Sequence, residues 1–246
     1  MFIGFLIILC AFIPNIAWLV FYIREDTHPE PKPLLVVAFV LGIVSVGIVY
    51  VMQRSTVSIL SHSLDAPIQV IMGSYAFIIC AAFIEEIVKF VSIRLLLHKN
   101  PVFDEPIDAM IYLVVAGLGF AFAENILYLR NFSDTAFDVV NLAMLRFVSA
   151  NLLHAVCSGM AGYFWAQGIV NKKSWRGIAV GILAAGGIHA LYNVLTLASH
   201  NQLIVDISIV FILVVGIFEL RDFEKLRKLS VPVTLTVYSP PMDKNS

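Results

Sequence analysis

Residues 81–90 of the chain, AAFIEEIVKF, place two neighbouring carboxylates and an ammonium inside a long apolar run over residues 68–97. A charge near the centre of a membrane helix costs about 2.5–3.5 kcal/mol on insertion scales, so such residues usually face the protein interior and belong to a functional site. Lys89 follows Glu86 by three residues and Glu85 by four, and both spacings bring its ammonium within reach of the carboxylate. The alternative is a neutralised pair that only locks one helix to its neighbours.

The composition of the whole chain places this run in a membrane protein. Hydrophobic residues make up 60% of the chain, charged residues only 13%, and the mean hydropathy is +0.90. Soluble domains carry about 25% charged residues. A net charge of −1 offers no basic face for nucleic acid, which we exclude as a partner. The three cysteines stand singly in apolar segments, a pattern typical of core residues rather than of disulfides.

Seven apolar segments, each near or above the roughly 20 residues that cross a bilayer, account for most of the chain. They cover residues 2–22, 34–52, 68–97, 107–129, 139–170, 177–199 and 203–220. The fifth is long enough to contain a break or a surface-lying turn. A polar connection is predicted for residues 53–67. The predicted fold is an all-α, polytopic membrane helix bundle, with a membrane domain (1–220) and a polar cytoplasmic tail (221–246) that is partly disordered beyond Tyr238.

Lysine and arginine are distributed unequally between the two sides of the predicted bundle. One side carries Arg24, Lys32, Arg94, Lys99, Lys172, Lys173, Arg176, Arg221, Lys225, Arg227, Lys228 and Lys244, and the other carries Arg54, Arg130 and Arg146. The positive-inside rule makes the first side cytoplasmic. The predicted protein therefore spans the cell membrane several times, with its N-terminus outside and its C-terminus in the cytoplasm.

Further polar side chains interrupt the later apolar segments. They are Glu124 and Asn125 in the fourth segment, His154 in the fifth, and His189 with Asn193 in the sixth. Gly117 and Gly119 give the fourth segment a face that another helix can approach closely. A lone membrane histidine is more often a packing residue. Four segments that each supply a carboxylate or an imidazole are tolerable only if these groups meet and satisfy one another.

The order of these motifs resembles the PrsW family of bacterial intramembrane proteases. The motifs are Glu85-Glu86-x-x-Lys89, Phe120-x-x-x-Glu124-Asn125, His154 and His189-x-x-x-Asn193, with supporting sequence at residues 104–112 and 124–129. The resemblance implies an intramembrane endopeptidase of the bacterial cell membrane. Its implied substrate is a single-span anti-sigma factor, cut first in a stress-signalling cascade.

The family is in turn similar to a broader group of CAAX-prenyl proteases and bacteriocin-processing membrane enzymes. The motifs of that group are E-E-x-x-x-R, F-x-x-x-H and H-x-x-x-N or H-x-x-x-D. This sequence departs from them twice, because Lys89 stands one residue earlier than the arginine and Glu124 replaces the histidine of the second motif. The role of that histidine is therefore not transferred to Glu124.

Peptide hydrolysis needs an activated water, an oxyanion stabiliser and a proton for the leaving amine. Glu85 or Glu86 is the predicted general base, and Lys89 holds the other carboxylate ionised. Glu124 and His154 are predicted to hold water or a metal. His189 and Asn193 are predicted to orient or donate to the oxyanion, and Asn125 is the remaining predicted site residue. A serine route through Ser158, four residues after His154, lacks an acidic third member.

Metal dependence divides the hypotheses about mechanism. Glu86, Glu124, His154 and His189 are candidate ligands of a catalytic zinc, which takes three protein ligands and an open water position. The H-E-x-x-H motif is absent, and no two histidines share a helix at ligand spacing. We therefore favour a metal-independent glutamate mechanism, with zinc as the alternative cofactor.

Two other classes of function fit the same residues. A proton-coupled transporter or channel component would use the carboxylates and imidazoles as a relay, although no inverted repeat supports it. A membrane scaffold would bind other helices through the glycine-rich faces.

For a protease, the position of Glu124 in its segment predicts where the site opens. Glu124 lies six residues before Arg130, or about 9 Å along a helix. The site is therefore predicted to open toward the outer half of the membrane and to cut its partner on the extracytoplasmic side.

Overall fold

The computed structural model describes residues 2–24, 29–197 and 201–228. In these residues the protein has nine α-helices and no strand. The helices are α1 (Phe2–Ile23), α2 (Lys32–Leu64), α3 (Ile68–Met72), α4 (Tyr75–Leu97), α5 (Asp108–Phe132), α6 (Ala136–Val148), α7 (Ala150–Val170), α8 (Ser174–Leu197) and α9 (Gln202–Arg227). The predicted all-α fold is confirmed.

Six helical segments in the described part of the chain are long and apolar enough to cross a membrane: α1, α2, α5, α6 together with α7, α8 and α9. The seventh predicted span is α4, whose apolar sequence contains four charged residues: Glu85, Glu86, Lys89 and Arg94. Its 23 residues give a length of about 35 Å, enough for a hydrocarbon core of about 30 Å. The protein is thus a polytopic membrane helix bundle, and α4 carries the acidic pair within it.

The predicted polar connection at residues 53–67 is wrong for most of its length. Helix α2 does not end at Met52 but continues to Leu64. The hydroxyls of Ser55 and Thr56 donate to backbone carbonyls four residues earlier, so they are satisfied within the helix. Residues 53–66 contain neither glycine nor proline, the residues that most strongly interrupt a helix, and only Pro67 closes the stretch.

Two other predicted segments are divided. Residues 68–97 break at Gly73 and Ser74, where the Ser74 side chain accepts a hydrogen bond from the backbone N–H of Phe77 and so caps the start of α4. The predicted break in residues 139–170 is confirmed at Ser149, whose φ of −116° and ψ of −88° are not helical. This break makes α7 a separate helix that begins at Ala150.

Helix α5 lies at the centre of the bundle. Sixteen of its 25 residues are buried, including all of residues 108–121. A helix that is apolar on every side belongs inside a bundle. A Cβ at Gly119 would meet the carbonyl of Phe39 in α2, and one at Gly117 would meet the carbonyl of His154 in α7. The close approach predicted from these glycines is confirmed on two faces.

The predicted boundary between membrane domain and tail stays a prediction. Helix α9 continues from the predicted span end at residue 220 to Arg227 without interruption. Residues 229–246, which include Lys244 and the segment predicted to be disordered, lie outside the described residues.

Candidate active site

The predicted charged residues come from four helices and meet in one cluster. Helix α4 supplies Glu85, Glu86 and Lys89, α5 supplies Glu124, α7 supplies His154 and α8 supplies His189. The cluster lies toward the end of the bundle where α6 connects α5 to α7. Glu124 is eight residues before the end of α5, and His154 is four residues after the start of α7, because the helix restarts at Ala150. In the predicted segment 139–170, taken without this restart, His154 would instead lie at the midpoint.

The Glu86 carboxylate is enclosed by two donors. Lys89 Nζ lies 2.7 Å and His189 Nδ1 lies 2.6 Å from the same oxygen, Glu86 Oε1. Glu86 is 2% and Lys89 1% exposed, so the ion pair is inside the protein. Because a carboxylate accepts, His189 carries its proton on Nδ1. Its Nε2 then faces Glu85, at 3.6 Å from Glu85 Oε2.

The Glu124 carboxylate is held in a parallel way. Arg146 Nη2 donates to Glu124 Oε2 at 2.6 Å, and His154 Nε2 lies 3.1 Å from the same oxygen. His154 Nδ1 lies 3.3 Å from Lys89 Nζ. An ammonium can only donate, so Nδ1 accepts and Nε2 carries the proton. Both ring nitrogens of His154 are therefore engaged.

Glu85 differs from the other two carboxylates of the cluster. The Gln53 amide donates to its Oε1 at 3.1 Å, whereas its Oε2 is buried with no hydrogen-bond partner among the described residues. Lys89, which the spacing places within reach of both acids, bonds Glu86 and not Glu85. The cluster thus has one carboxylate without a directly bound cation, and its free oxygen points toward His189.

The two predicted asparagines have different surroundings. Asn125 is 3% exposed, donates to Asn151 Oδ1 at 2.6 Å and accepts from Arg146 Nε. It therefore helps to hold the arginine that binds Glu124. Asn193 is half-buried one turn beyond His189 and makes no hydrogen bond with the described residues. Its oxyanion role stays a prediction.

The sequence interpretation missed three residues that support the cluster: Gln53, Arg146 and Asn151. Gln53 was assigned to a connection, and Arg146 was counted as an outer loop charge. Arg146 lies instead in the last turn of α6, and its guanidinium is 4.2 Å from the ring centre of Tyr128. The sequence did contain a sign that Arg146 belongs to the cluster, because it is the only lysine or arginine in residues 139–170.

Two sets of metal-ligand atoms occur in the described residues, each with its atoms within 4.8 Å of one another: Glu85 with His154 and His189, and Glu86 with Cys157 and His189. Neither contains Glu124, which was a predicted ligand. In the first set Glu85 Oε2 and His189 Nε2 are free to bind, but His154 has both nitrogens engaged. Catalytic zinc takes three protein ligands. Glu85 Oε2 and His189 Nε2 therefore fit a metal in this geometry, whereas His154 would have to give up its contact with Lys89 or Glu124.

Ser158 does not form a nucleophile pair. Its hydroxyl is buried without a hydrogen bond in the described part of the chain, and it packs where a Cβ at Gly117 would lie. His154, its predicted base, is held by Lys89 and Glu124 instead. The arrangement favours carboxylate chemistry over a serine mechanism.

Comparisons with known proteins agree with the resemblance seen in the motifs. Residues 30–218 match the family described as "PrsW family intramembrane metalloprotease". Protease PrsW of Geobacillus kaustophilus is 30% identical over 190 residues, which cover 76% of this chain and 78% of that protein. Protease PrsW of Bacillus subtilis is 25% identical over 236 residues, covering 92% and 98%. No solved structure matches the chain significantly.

Proposed function

Because the chain belongs to the PrsW family of intramembrane proteases, we propose that its charged cluster hydrolyses a peptide bond with Glu85 as the general base. One observation carries the choice of base: Glu85 has a buried oxygen with no partner among the described residues, whereas Glu86 and Glu124 are bound by Lys89 and Arg146. A base needs a free acceptor atom, and a carboxylate in an ion pair has given up much of its basicity.

The other residues of the cluster follow from this assignment. Glu85 Oε2 accepts a proton from the attacking water. His189 Nε2 lies 3.6 Å from that oxygen and is the nearest group that can take up the proton and donate it to the leaving amine. Glu86 accepts from Nδ1 of the same ring and fixes its orientation. His154, held by Glu124 and Lys89, adds a second oriented imidazole beside His189, with ring centres 5.1 Å apart.

The charge balance supports proton uptake by the cluster. Three carboxylates and two cations leave a net charge of −1 when both imidazoles are neutral. A buried charge without compensation is expensive, so the cluster gains stability from one additional positive charge. The proton that Glu85 removes from water supplies this charge to the protein groups when it passes to His189, and the negative charge moves to the oxyanion that forms on the attacked peptide bond.

A metal cation would supply the missing positive charge instead of a proton. Glu85, His154 and His189 would hold it, and it would polarise a water and the peptide carbonyl. Binding requires His154 to release Lys89 or Glu124, so we derive no step through a metal. Metal analysis of the purified protein, paired with a cleavage assay in chelator, tests this: cleavage by metal-free protein is expected. If cleavage were lost in chelator and returned with zinc, Glu85 would be a metal ligand and not the general base.

For the substrate, we propose a single-span membrane protein, of which an anti-sigma factor is the type implied by the motif resemblance. Of the carboxylates in the cluster Glu124 is the most exposed, at 37% of its side chain, and it lies toward the α6 end of the bundle. An extended substrate segment therefore enters from that end, since irregular backbone at membrane depth must be buried in protein or line a cavity.

The orientation in the membrane decides which side this end faces. The lysine and arginine distribution places the α5–α6 connection outside and the C-terminus in the cytoplasm. Reporters fused after Lys228 and within residues 130–138 should therefore read cytoplasmic and external, respectively. Mass spectrometry of the product termini then locates the cut, which is expected at or just within the extracytoplasmic side. A new terminus on the cytoplasmic flank would contradict this entry route.

A further inference from the structure

A cavity lies at the turn between α7 and α8, far from the candidate active site. Its volume is about 410 Å³, within the roughly 300–1,000 Å³ of small-molecule sites. Helix α7 ends at Val170 and α8 begins at Ser174. His154 lies 16 residues before the end of α7, or about 24 Å along the helix. The cavity therefore belongs to the opposite end of the bundle.

One wall of the cavity is polar and positively charged. It is formed by Gln167, Asn171, Lys173 and Arg176. The lysine and the arginine are exposed, and neither has a carboxylate partner among the described residues. Asn171 Nδ2 donates to the backbone carbonyl of Gln167 at 2.8 Å, which orders this side of the turn. Two cations without a counter-charge at one cavity attract an anion.

The other wall of the cavity is apolar and continues into the membrane. Phe164 and Val180 line it from α7 and α8, one to two turns inside the helix ends. Trp175, 77% exposed, lies at the start of α8, next in sequence to Arg176. Tryptophan is enriched at the boundary between lipid and water, and a short turn between two membrane-crossing helices lies at that boundary. The cavity therefore has a cationic part at the membrane surface and an apolar part below it.

We propose that this cavity binds the headgroup phosphate of an anionic phospholipid. Basic pockets between membrane helices recognise such headgroups. A free phosphate would use the same two cations, but it would leave the apolar wall without a partner. A phospholipid fills both parts, with its phosphate against Lys173 and Arg176 and its acyl chain along Phe164 and Val180.

The test uses the full-length protein in phosphatidylcholine vesicles that contain a minor fraction of brominated lipid. Brominated phosphatidylglycerol should quench Trp175 more strongly than brominated phosphatidylcholine at the same mole fraction. A Trp175→Phe variant identifies the part of the signal that comes from this residue. Lys173→Gln should weaken the preference about fivefold, and Lys173→Gln with Arg176→Gln about 25-fold, at about 1 kcal/mol per cation near a membrane surface.

Lys172→Gln is the matched control, because it removes the same charge from the same turn at a residue that does not line the cavity. It should leave the preference unchanged. An equal effect of Lys172→Gln and Lys173→Gln would overturn the proposal, since it would indicate general attraction to an anionic surface. Equal quenching by both brominated lipids would also overturn it. Displacement by inorganic phosphate at the concentration of the lipid would assign the cavity to a soluble anion instead.

Discussion

Two regions of the bundle bury carboxylates in contrasting ways. In the candidate active site, three carboxylates share two cations and two imidazoles from several helices. In α9, Glu219 is 1% exposed and has a neutral partner, Tyr22 of α1, whose hydroxyl donates to Glu219 Oε2 at 2.9 Å. Its other oxygen has no hydrogen bond among the described residues and packs against Gly159.

The contrast shows why burial of a carboxylate alone does not identify a catalytic group. Glu85 and Glu219 each have a buried oxygen without a partner. The free oxygen of Glu85 faces the imidazole of His189, which can exchange a proton with it. The free oxygen of Glu219 faces a glycine that has no side chain to titrate. We therefore interpret the Tyr22–Glu219 contact as a structural link between α1 and α9.

Glu86→Gln is expected to have the largest effect, because it leaves the buried Lys89 ammonium without a carboxylate. Removing one partner of a buried ion pair typically costs about 3–5 kcal/mol of folding stability. Thermal unfolding in mild detergent measures this loss, and cleavage should fall with it. Glu86→Gln combined with Lys89→Met should recover most of the stability but not the activity. Glu219→Gln leaves no cation without a partner, so it should cost much less folding stability. Equal losses of stability in the two variants would contradict the distinction between the two regions.

Glu85→Gln comes next, because it removes the proposed base without stranding a cation. Cleavage should fall by at least about 10²-fold, the lower range for losing a positioned acid or base, while the unfolding temperature stays close to that of the native protein. We expect losses of similar size for Glu124→Gln, His154→Ala and His189→Ala. Ser158→Ala, Cys157→Ala and Glu219→Gln are the controls and should cleave at near the native rate. Full activity of Glu85→Gln would exclude it as the base.

Gln53→Leu tests the residue that holds Glu85 from α2. Loss of the 3.1 Å hydrogen bond to Glu85 Oε1 should lower kcat about tenfold with little change in KM, since the amide positions the base and does not bind substrate. Ser55→Ala, two residues further along the same helix, is the matched control; its exposed hydroxyl bonds only the Val51 carbonyl. A change in KM alone would indicate a substrate contact instead.

Tyr22→Phe changes the contact between α1 and α9 and should have the smallest effect on cleavage. It deletes one hydroxyl and its hydrogen bond to Glu219, and leaving that buried oxygen without a donor should cost about 1–3 kcal/mol of stability. Cleavage should stay within about twofold of the native rate, in contrast to any change at the charged cluster. A loss of activity without a loss of stability would mean that this second region takes part in catalysis.

Several features of the protein could be predicted because they depend on local chemistry. Apolar runs of about 20 residues define membrane helices whatever their neighbours are, so the helix bundle followed from the sequence. The close approach at Gly117 and Gly119 followed from side-chain size. The family motifs identified the residues that meet. Charged groups in an apolar segment must find partners, which made a shared cluster the expected outcome.

Other features were decided by contacts between distant parts of the chain. Helical spacing allowed Lys89 to reach either acid, and it could not choose between them. The choice comes from helices that approach from elsewhere: Gln53, 32 residues away, occupies one oxygen of Glu85, and His189, 103 residues away, binds Glu86 beside Lys89. Arg146 reaches Glu124 from α6, which the break at Ser149 separates from α7.

The sequence by itself determined that the acidic pair, Lys89, Glu124 and the two histidines belong to one buried cluster, because the cost of a charge in a membrane depends on the residue and its apolar surroundings. Only the tertiary structure decided which carboxylate stays free of a bound cation. Hydrogen bonds act over about 3 Å and each donor satisfies few acceptors. The assignment of partners therefore depends on how the helices are placed around α5, which no local spacing specifies.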